Sequence, residues 1–154
     1  MTQPKIEMTT MVMVEDKKAG KVLVQDRIKR YKGYSFPGGH VENGESFYDC
    51  AVREVKEETG LDIRSLQYCG VINWFNSDTC DRYLVYLYKT SDFTGELLPK
   101  SDEGKNSWLS LGEMKAQMGD IDIGEYMPLF LDDKVLEGFC AWRKGDKEWK
   151  MEYR

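Results

Sequence analysis

Apolar and polar residues alternate along much of this chain, and the period of the alternation changes from one stretch to the next. The runs TMVMV (10–14) and KVLVQ (21–25), separated by the polar EDKKAG, read as strand, turn and strand. A Gly/Pro loop, FPGGHVENGE, follows. The period then lengthens to that of a helix over 46–59, where Tyr48, Ala51, Val52 and Val55 form an apolar stripe. Ser46 is placed to cap its start, with Asp49 three residues on, and Gly60 to stop it. Residues 66–75 and 82–89 read as paired strands around NSDTCD, and 106–109 as a short third. A helix is predicted over 111–118, and another begins in 126–131. Near the end Trp149, Met151 and Tyr153 fall on one face and Lys150, Glu152 and Arg154 on the other. With 138–143 and the turn KGD, this predicts a terminal hairpin with one buried face. Helices interspersed among strands imply an α/β fold, a mixed sheet covered by helices.

Bulk composition narrows this further. A chain of 154 residues without repeats or linkers suits a single domain, 1–154. It is 41% hydrophobic and 32% charged. No apolar run approaches the length of about 18 that a membrane span needs. MTQPKIEMTT lacks the apolar core of a signal peptide, so a cytoplasmic location is expected. Cys50, Cys69, Cys80 and Cys140 lie too far apart for zinc or redox motifs and read as reduced thiols. A net charge of −5 argues against nucleic acid as a partner. A small polyphosphate is compatible with it if metal ions intervene.

The stretch REVKEETG (53–60) concentrates like charge at the end of the predicted helix. Glu54, Glu57 and Glu58 project within an arc of roughly 100° and repel one another. Arg53 lies one turn before Glu57, where it can hold that carboxylate. By itself such a cluster reads as a solvated helix end; as a ligand set, its hard oxygens suit magnesium or manganese.

Its surroundings decide between the two. Gly39, Glu45, Arg53-Glu54-Val55, Glu57-Glu58, Gly60 and Leu61 fall at the spacing G-x5-E-x7-R-E-U-x-E-E-x-G-U, with U aliphatic. A chance match at a given start is on the order of one in a billion. The segment 39–61 thus resembles the Nudix box. Through GYSFPGG (33–39), which leads into the box, and NWFN (73–76) and DRYLVYLYKT (81–90) beyond it, the chain also resembles MutT-like members of that family, in particular bacterial 8-oxo-dGTP diphosphatases. The resemblance implies an α/β/α sandwich. It also implies hydrolysis of a nucleoside triphosphate, such as an oxidised purine nucleotide, by a metal-activated water, with Mg2+ or Mn2+ as cofactor. A nucleotide-sugar or dinucleoside-polyphosphate hydrolase is the alternative within the enzymes, and a non-catalytic nucleotide sensor the alternative outside them.

Carried over by position, Glu54, Glu57 and Glu58 are metal ligands, with the Gly38 carbonyl a further candidate. Arg53 orients Glu57, and Glu45 braces loop and helix or lies near the metals. In SDEG (101–104), Glu103 is preferred to Asp102 as general base, against an exposed acidic loop. Arg27 either contacts substrate phosphates or is a surface arginine. His40 is expected to be an exposed loop residue. In NWFN (73–76), the rings of Trp74 and Phe75 offer stacking and the amides of Asn73 and Asn76 an edge-reading contact, or the rings are core. The expected partner is a small-molecule nucleotide, with neither nucleic acid nor membrane, and monomer and homodimer both remain open.

Overall fold

Strand β1 (Ile6–Asp16) supplies the centre around which the chain is built. Its side chains alternate between two buried faces: Val12 and Val14 on one, Met13 on the other. The computed structural model describes residues 2–29, 33–117 and 123–154. After β1 come β2 (Lys21–Arg27), β3 (Gly33–Ser35), β4 (Gly38–His40) and helix α1 (Phe47–Thr59). Then follow β5 (Asp62–Arg64), β6 (Gln67–Asn76), β7 (Arg82–Thr90), β8 (Asp92–Thr94), β9 (Lys100–Ser101) and β10 (Gly104–Leu109). The chain ends with α2 (Leu111–Ala116), a 3-10 turn (Ile123–Glu125), α3 (Met127–Leu131), β11 (Glu137–Trp142) and β12 (Glu152–Tyr153). Among the described residues the main sheet runs β12-β11-β6-β7-β1-β2-β10-β9, with β3 on β2 and β4 on β1. β1 with β7 and β6 with β11 are parallel and the other pairs antiparallel, so the sheet is mixed as expected.

Helix α1 covers one face. The Ser46 hydroxyl accepts the Asp49 N–H at 3.0 Å, and Gly60, at φ 79°, donates to the Lys56 carbonyl. Ala51 and Val55 are fully buried against Val12, Val14 and Leu23. The predicted stripe is shifted at one end: Cys50 is buried, while Tyr48 stays half-exposed and sets its ring edge on Tyr88. On the other face α2 and α3 pack over Met13, Val24 and Leu87, with Phe36 edge-on to Phe130 at 5.3 Å. Such an aromatic pair adds about 1 kcal/mol beyond its buried area. The result is the expected α/β/α sandwich.

Several expectations need correcting. β1 and β2 pair only beside their turn, at Glu15↔Val22 and Asp16↔Lys21, and β4 takes the rest of that edge. The predicted loop thus contains a strand. A side chain at position 38 would place its Cβ 1.9 Å from the Thr10 carbonyl oxygen, so glycine is what lets β4 close on β1. The terminal hairpin is wide, with β11 and β12 matching only at Gly138↔Tyr153 and Phe139↔Glu152. Its apolar face is only partly buried: Met151 packs over Gly138, while Trp149 remains 52% exposed. Of the predicted helix 111–118, Leu111–Ala116 is helical and Met118 lies outside the described residues. No helix among the described residues is long and apolar enough to cross a membrane.

The glycine contacts predict unequal costs. Gly38→Ala should lose about 2–3 kcal/mol of stability through overpacking on β1. Gly44, at φ 78° with open space around it, should lose only about 1 kcal/mol on Gly44→Ala, from backbone strain. Urea unfolding of both variants checks this, and equal losses would contradict it.

Candidate active site

The end of α1 gathers charge that helix physics disfavours. Glu57 and Glu58 lie in its last turn, beside the partial negative charge of the helix C-terminus, where carboxylates are repelled as well as repelling one another. The fork of the Arg53 guanidinium answers this repulsion. Its Nε donates to Glu45 Oε1 at 2.6 Å and its Nη2 to Glu45 Oε2 at 3.0 Å and to the His40 carbonyl at 3.1 Å. Its Nη1 donates to Glu54 at 3.0 Å and to Glu57 at 3.1 Å. Glu45 also accepts the Glu42 N–H, so it braces the loop against the helix. The hydrogen bonds from Arg53 and from the Glu42 amide hold the Glu45 carboxyl down at about 2.

The other acids point inward. Glu58 is 8% exposed and accepts the Gly38 N–H at 3.1 Å. Burial and then the charge of Glu54 push its carboxyl up to about 8. Burial also raises Glu54, against the pull of Arg53. The Glu54 carboxylate lies against Gly39, where a Cβ would meet its carbon at 2.4 Å. The two glycines are therefore set by close approach to β1 and to Glu54; neither has a positive φ.

Tertiary structure adds two residues distant in sequence. Arg27 ends β2 directly opposite Gly104, which places it beside Glu103 at 3.8 Å. Lys29 reaches the same carboxylate at 3.5 Å. Glu103 raises the carboxyls of both Glu54 and Glu58, and Arg27 lowers Glu58, so these groups share one electrostatic neighbourhood. Asp102 is exposed. His40 is an exposed residue of β4, 3.6 Å from Glu7.

The donor set has the chemistry of a hard divalent cation site: carboxylates, two of them with protonation favoured by burial. Among the described residues, no three acidic, histidine or cysteine side chains converge as they stand. Glu54 and Glu57 face Arg53 instead. The set fits such a cation, and Glu54, Glu57 and Glu58 are the side chains that would hold it.

The expected base-reading group is divided by strand alternation. Trp74 and Asn76 face away from α1; Asn73 and Phe75 face the α1 side. The Asn73 amide accepts from Arg82 at 3.0 Å and faces Glu137 at 3.4 Å, and Arg82 lies over the Phe75 ring at 4.7 Å. Asn73 therefore does not share a site with Trp74. Trp74 Nε1 donates to the Tyr126 hydroxyl at 2.9 Å, and its ring packs on Trp149. Asn76 Oδ1 accepts the Asp78 and Thr79 N–H groups, closing the β6–β7 turn. Trp74, Asn76, Tyr83 and Trp142 do border an open cavity of about 170 Å³. The sequence reading missed Cys50, whose thiol lies 3.4 Å from Thr10 Oγ1 beneath the acidic face, and Tyr126. No spacing rule marks contacts made across strands.

Fold and site together define a class: an α/β/α sandwich presenting a carboxylate-rich helix end beside a Gly-Gly strand. The NUDIX domain model matches residues 5–130, and the chain belongs to the Nudix family. It is 32% identical over 82 residues to YvcI of Bacillus subtilis, an uncharacterised Nudix hydrolase, covering 51% of this chain and 52% of that one. To the NAD-capped RNA hydrolase NudC of Pseudomonas aeruginosa it is 38% identical over 79 residues, 51% of this chain and 27% of NudC. YtkD of B. subtilis, provisionally named an 8-oxo-dGTP diphosphatase, is 51% identical over 51 residues, 33% of this chain and 31% of YtkD. The chain thus spans about half, or less, of the length of these relatives. The crystal structure of a MutT protein from Bacillus halodurans superimposes with TM-score 0.77 at 22% identity, covering 95% and 97% of the two chains, a likeness of fold.

The depressed Glu45 carboxyl predicts a pH dependence. A group held at about 2 rather than its ordinary 4.5 contributes stability that is complete above 4.5 and is lost as pH falls towards 2. Glu45→Gln should therefore be less stable than wild type by a constant margin from neutral pH down to about 4.5, and the margin should close below it. Urea midpoints across this range measure it, and an unchanged margin near pH 2 would contradict the pairing.

Proposed function

We propose that this chain is a divalent-metal-dependent pyrophosphohydrolase that cleaves a nucleoside triphosphate, with an oxidised purine nucleotide such as 8-oxo-dGTP as the candidate, to nucleoside monophosphate and pyrophosphate. The observation that carries this reading is the acidic face itself. Three glutamates crowd a helix end, with Arg53 clamping two of them and Gly38 the third. The YtkD match supports the choice of substrate, and the family supports the reaction class.

In this reading Glu54, Glu57 and Glu58 hold Mg2+ or Mn2+, and the Gly38 carbonyl is a further candidate ligand. Such a cation, when bound, neutralises polyphosphate charge and lowers the pKa of neighbouring water. The chain supplies the rest. Arg53 fixes the spacing of the acids, and Arg27 offers a guanidinium to the substrate phosphates. Glu103 accepts a proton from the attacking water; the water oxygen bonds to phosphorus as the anhydride P–O bond breaks, and pyrophosphate leaves. Trp74 and Asn76, bordering one cavity, are the candidates for contact with the base, and Asn73 would act through Arg82. The protein works as one domain, 1–154, in the cytoplasm, on a small-molecule nucleotide and without nucleic acid or membrane, as monomer or homodimer. The NudC match favours a second reading, a nucleoside diphosphate linked to another group.

Rates on 8-oxo-dGTP, dGTP and an ADP-sugar at fixed Mg2+, with products resolved by chromatography, test the substrate class. Highest kcat/KM for the ADP-sugar would replace the first reading with the second.

Two variants test the roles. Glu57→Gln should reduce turnover by at least about a hundredfold while leaving the fold intact. Near-normal turnover of folded Glu57→Gln and Glu58→Gln proteins would remove the metal-site assignment. Glu103→Gln should lower kcat by about 10² to 10⁴, with little change in KM, and flatten the acidic limb of the pH–rate profile. An unchanged kcat would pass the role of base to Glu45 or Asp102.

A further inference from the structure

The helix that carries the acids caps only part of its own C-terminus. The last carbonyls of any helix lack partners within it. Here Gly60 N–H serves Lys56, but the carbonyl of Glu58 accepts from Asn106 Nδ2 at 2.8 Å and that of Thr59 from Leu98 N–H at 2.8 Å. Asn106 lies on β10, 48 residues from Glu58 in sequence. Its Nδ2 also donates to the Leu98 carbonyl at 2.9 Å, and its backbone N–H to Pro99 at 3.0 Å. One residue thus joins the last turn of α1 to segment 98–99 and to the strand that begins just after Glu103.

The orientation of this amide is dictated. Two carbonyl oxygens within 2.9 Å accept only from an NH2 group, so the Asn106 Oδ1 must face the other way. That oxygen is buried and has no hydrogen-bond partner among the described residues. Gln25 stands directly opposite Asn106 in the β2–β10 register, itself 2% exposed, with its Nε2 likewise unpartnered. A buried amide that leaves its acceptor unsatisfied while using both donors is retained at a cost in desolvation. The two carbonyls it holds are what offset that cost.

We propose that Asn106 is a positioning residue for the metal site: through the Glu58 carbonyl it fixes where the Glu58 carboxylate stands relative to Glu54 and to Glu103. Neither aspartate, which lacks the donors, nor leucine, which fills the space, can replace it. This rests on the reading of Glu58 as a metal ligand. It adds a residue outside the box, on another strand, on which metal affinity depends.

The test is Mn2+ binding by calorimetry without nucleotide, together with kcat and KM against Mg2+ concentration. The proteins are wild type, Asn106→Leu, Asn106→Ser and Thr59→Val. Asn106→Leu should weaken Mn2+ binding about tenfold and raise the Mg2+ concentration for half-maximal rate similarly, with nucleotide KM at saturating Mg2+ within about twofold. Asn106→Ser, which keeps one donor, should fall between it and wild type, and is read alone if the leucine variant does not fold. Thr59→Val removes the Thr59 hydroxyl contacts with Val55 and Leu61 at the same helix end without touching the Glu58 carbonyl. It should lower Tm and leave Mn2+ affinity in place. Wild-type Mn2+ affinity in folded Asn106 variants, or an equal loss in Thr59→Val, would overturn the proposal. Failure of wild type itself to bind Mn2+ would overturn instead the metal-site reading beneath it.

Discussion

The Arg53 guanidinium is the constraint on which the packing of acids along this helix depends. Five donated hydrogen bonds to protein oxygens tie it to Glu45, Glu54, Glu57 and the His40 carbonyl. A lysine carries the same charge but lacks the planar fork that serves these acceptors in fixed directions. The guanidinium makes tolerable an arrangement that repulsion and the helix dipole both oppose. It also ties α1 to β4, because His40 and Glu45 lie before the helix while Glu54 and Glu57 lie within it.

The sheet determines what can stand near that arginine. β4 reaches β1 closely because glycine occupies position 38, and Glu54 lies against β4 because glycine occupies position 39; the Gly38 N–H is left to Glu58. On the far side, β2 and β10 bring Arg27 and Glu103 together through a register in which Arg27 faces Gly104. Three relationships therefore converge on one patch: the β1–β4 pair, the β2–β10 pair and the cap of α1 by Leu98 and Asn106. The acids belong to a helix, but their separation from Glu103 is set by strands.

Burial gives this patch its electrical character. Glu58 sits where water is largely excluded, so its charge is disfavoured unless a positive group lies near. Arg53 is committed to Glu45, Glu54 and Glu57, and Arg27 to Glu103. The patch is thus short of positive charge. That deficit is a physical reason for it to attract a cation together with an anionic, phosphate-bearing ligand.

The sequence by itself determined the helix, its caps, the main strands, the α/β class and the order of the acids, because these follow from local periodicity and from the spacing of a short contiguous motif. Ser46, Gly60 and the face shared by Glu54, Glu57 and Glu58 needed no partner beyond a few residues away. Tertiary structure alone decided that Gly38–His40 is a strand, that Asn73 meets Arg82 and Glu137 while Trp74 meets Tyr126 and Trp149, and that the terminal hairpin pairs over two positions. It also decided that Asn106 caps the acidic helix. Each depends on which strand lies beside which, and in what register. A mixed sheet whose neighbours are distant in sequence leaves no local pattern from which that could be read.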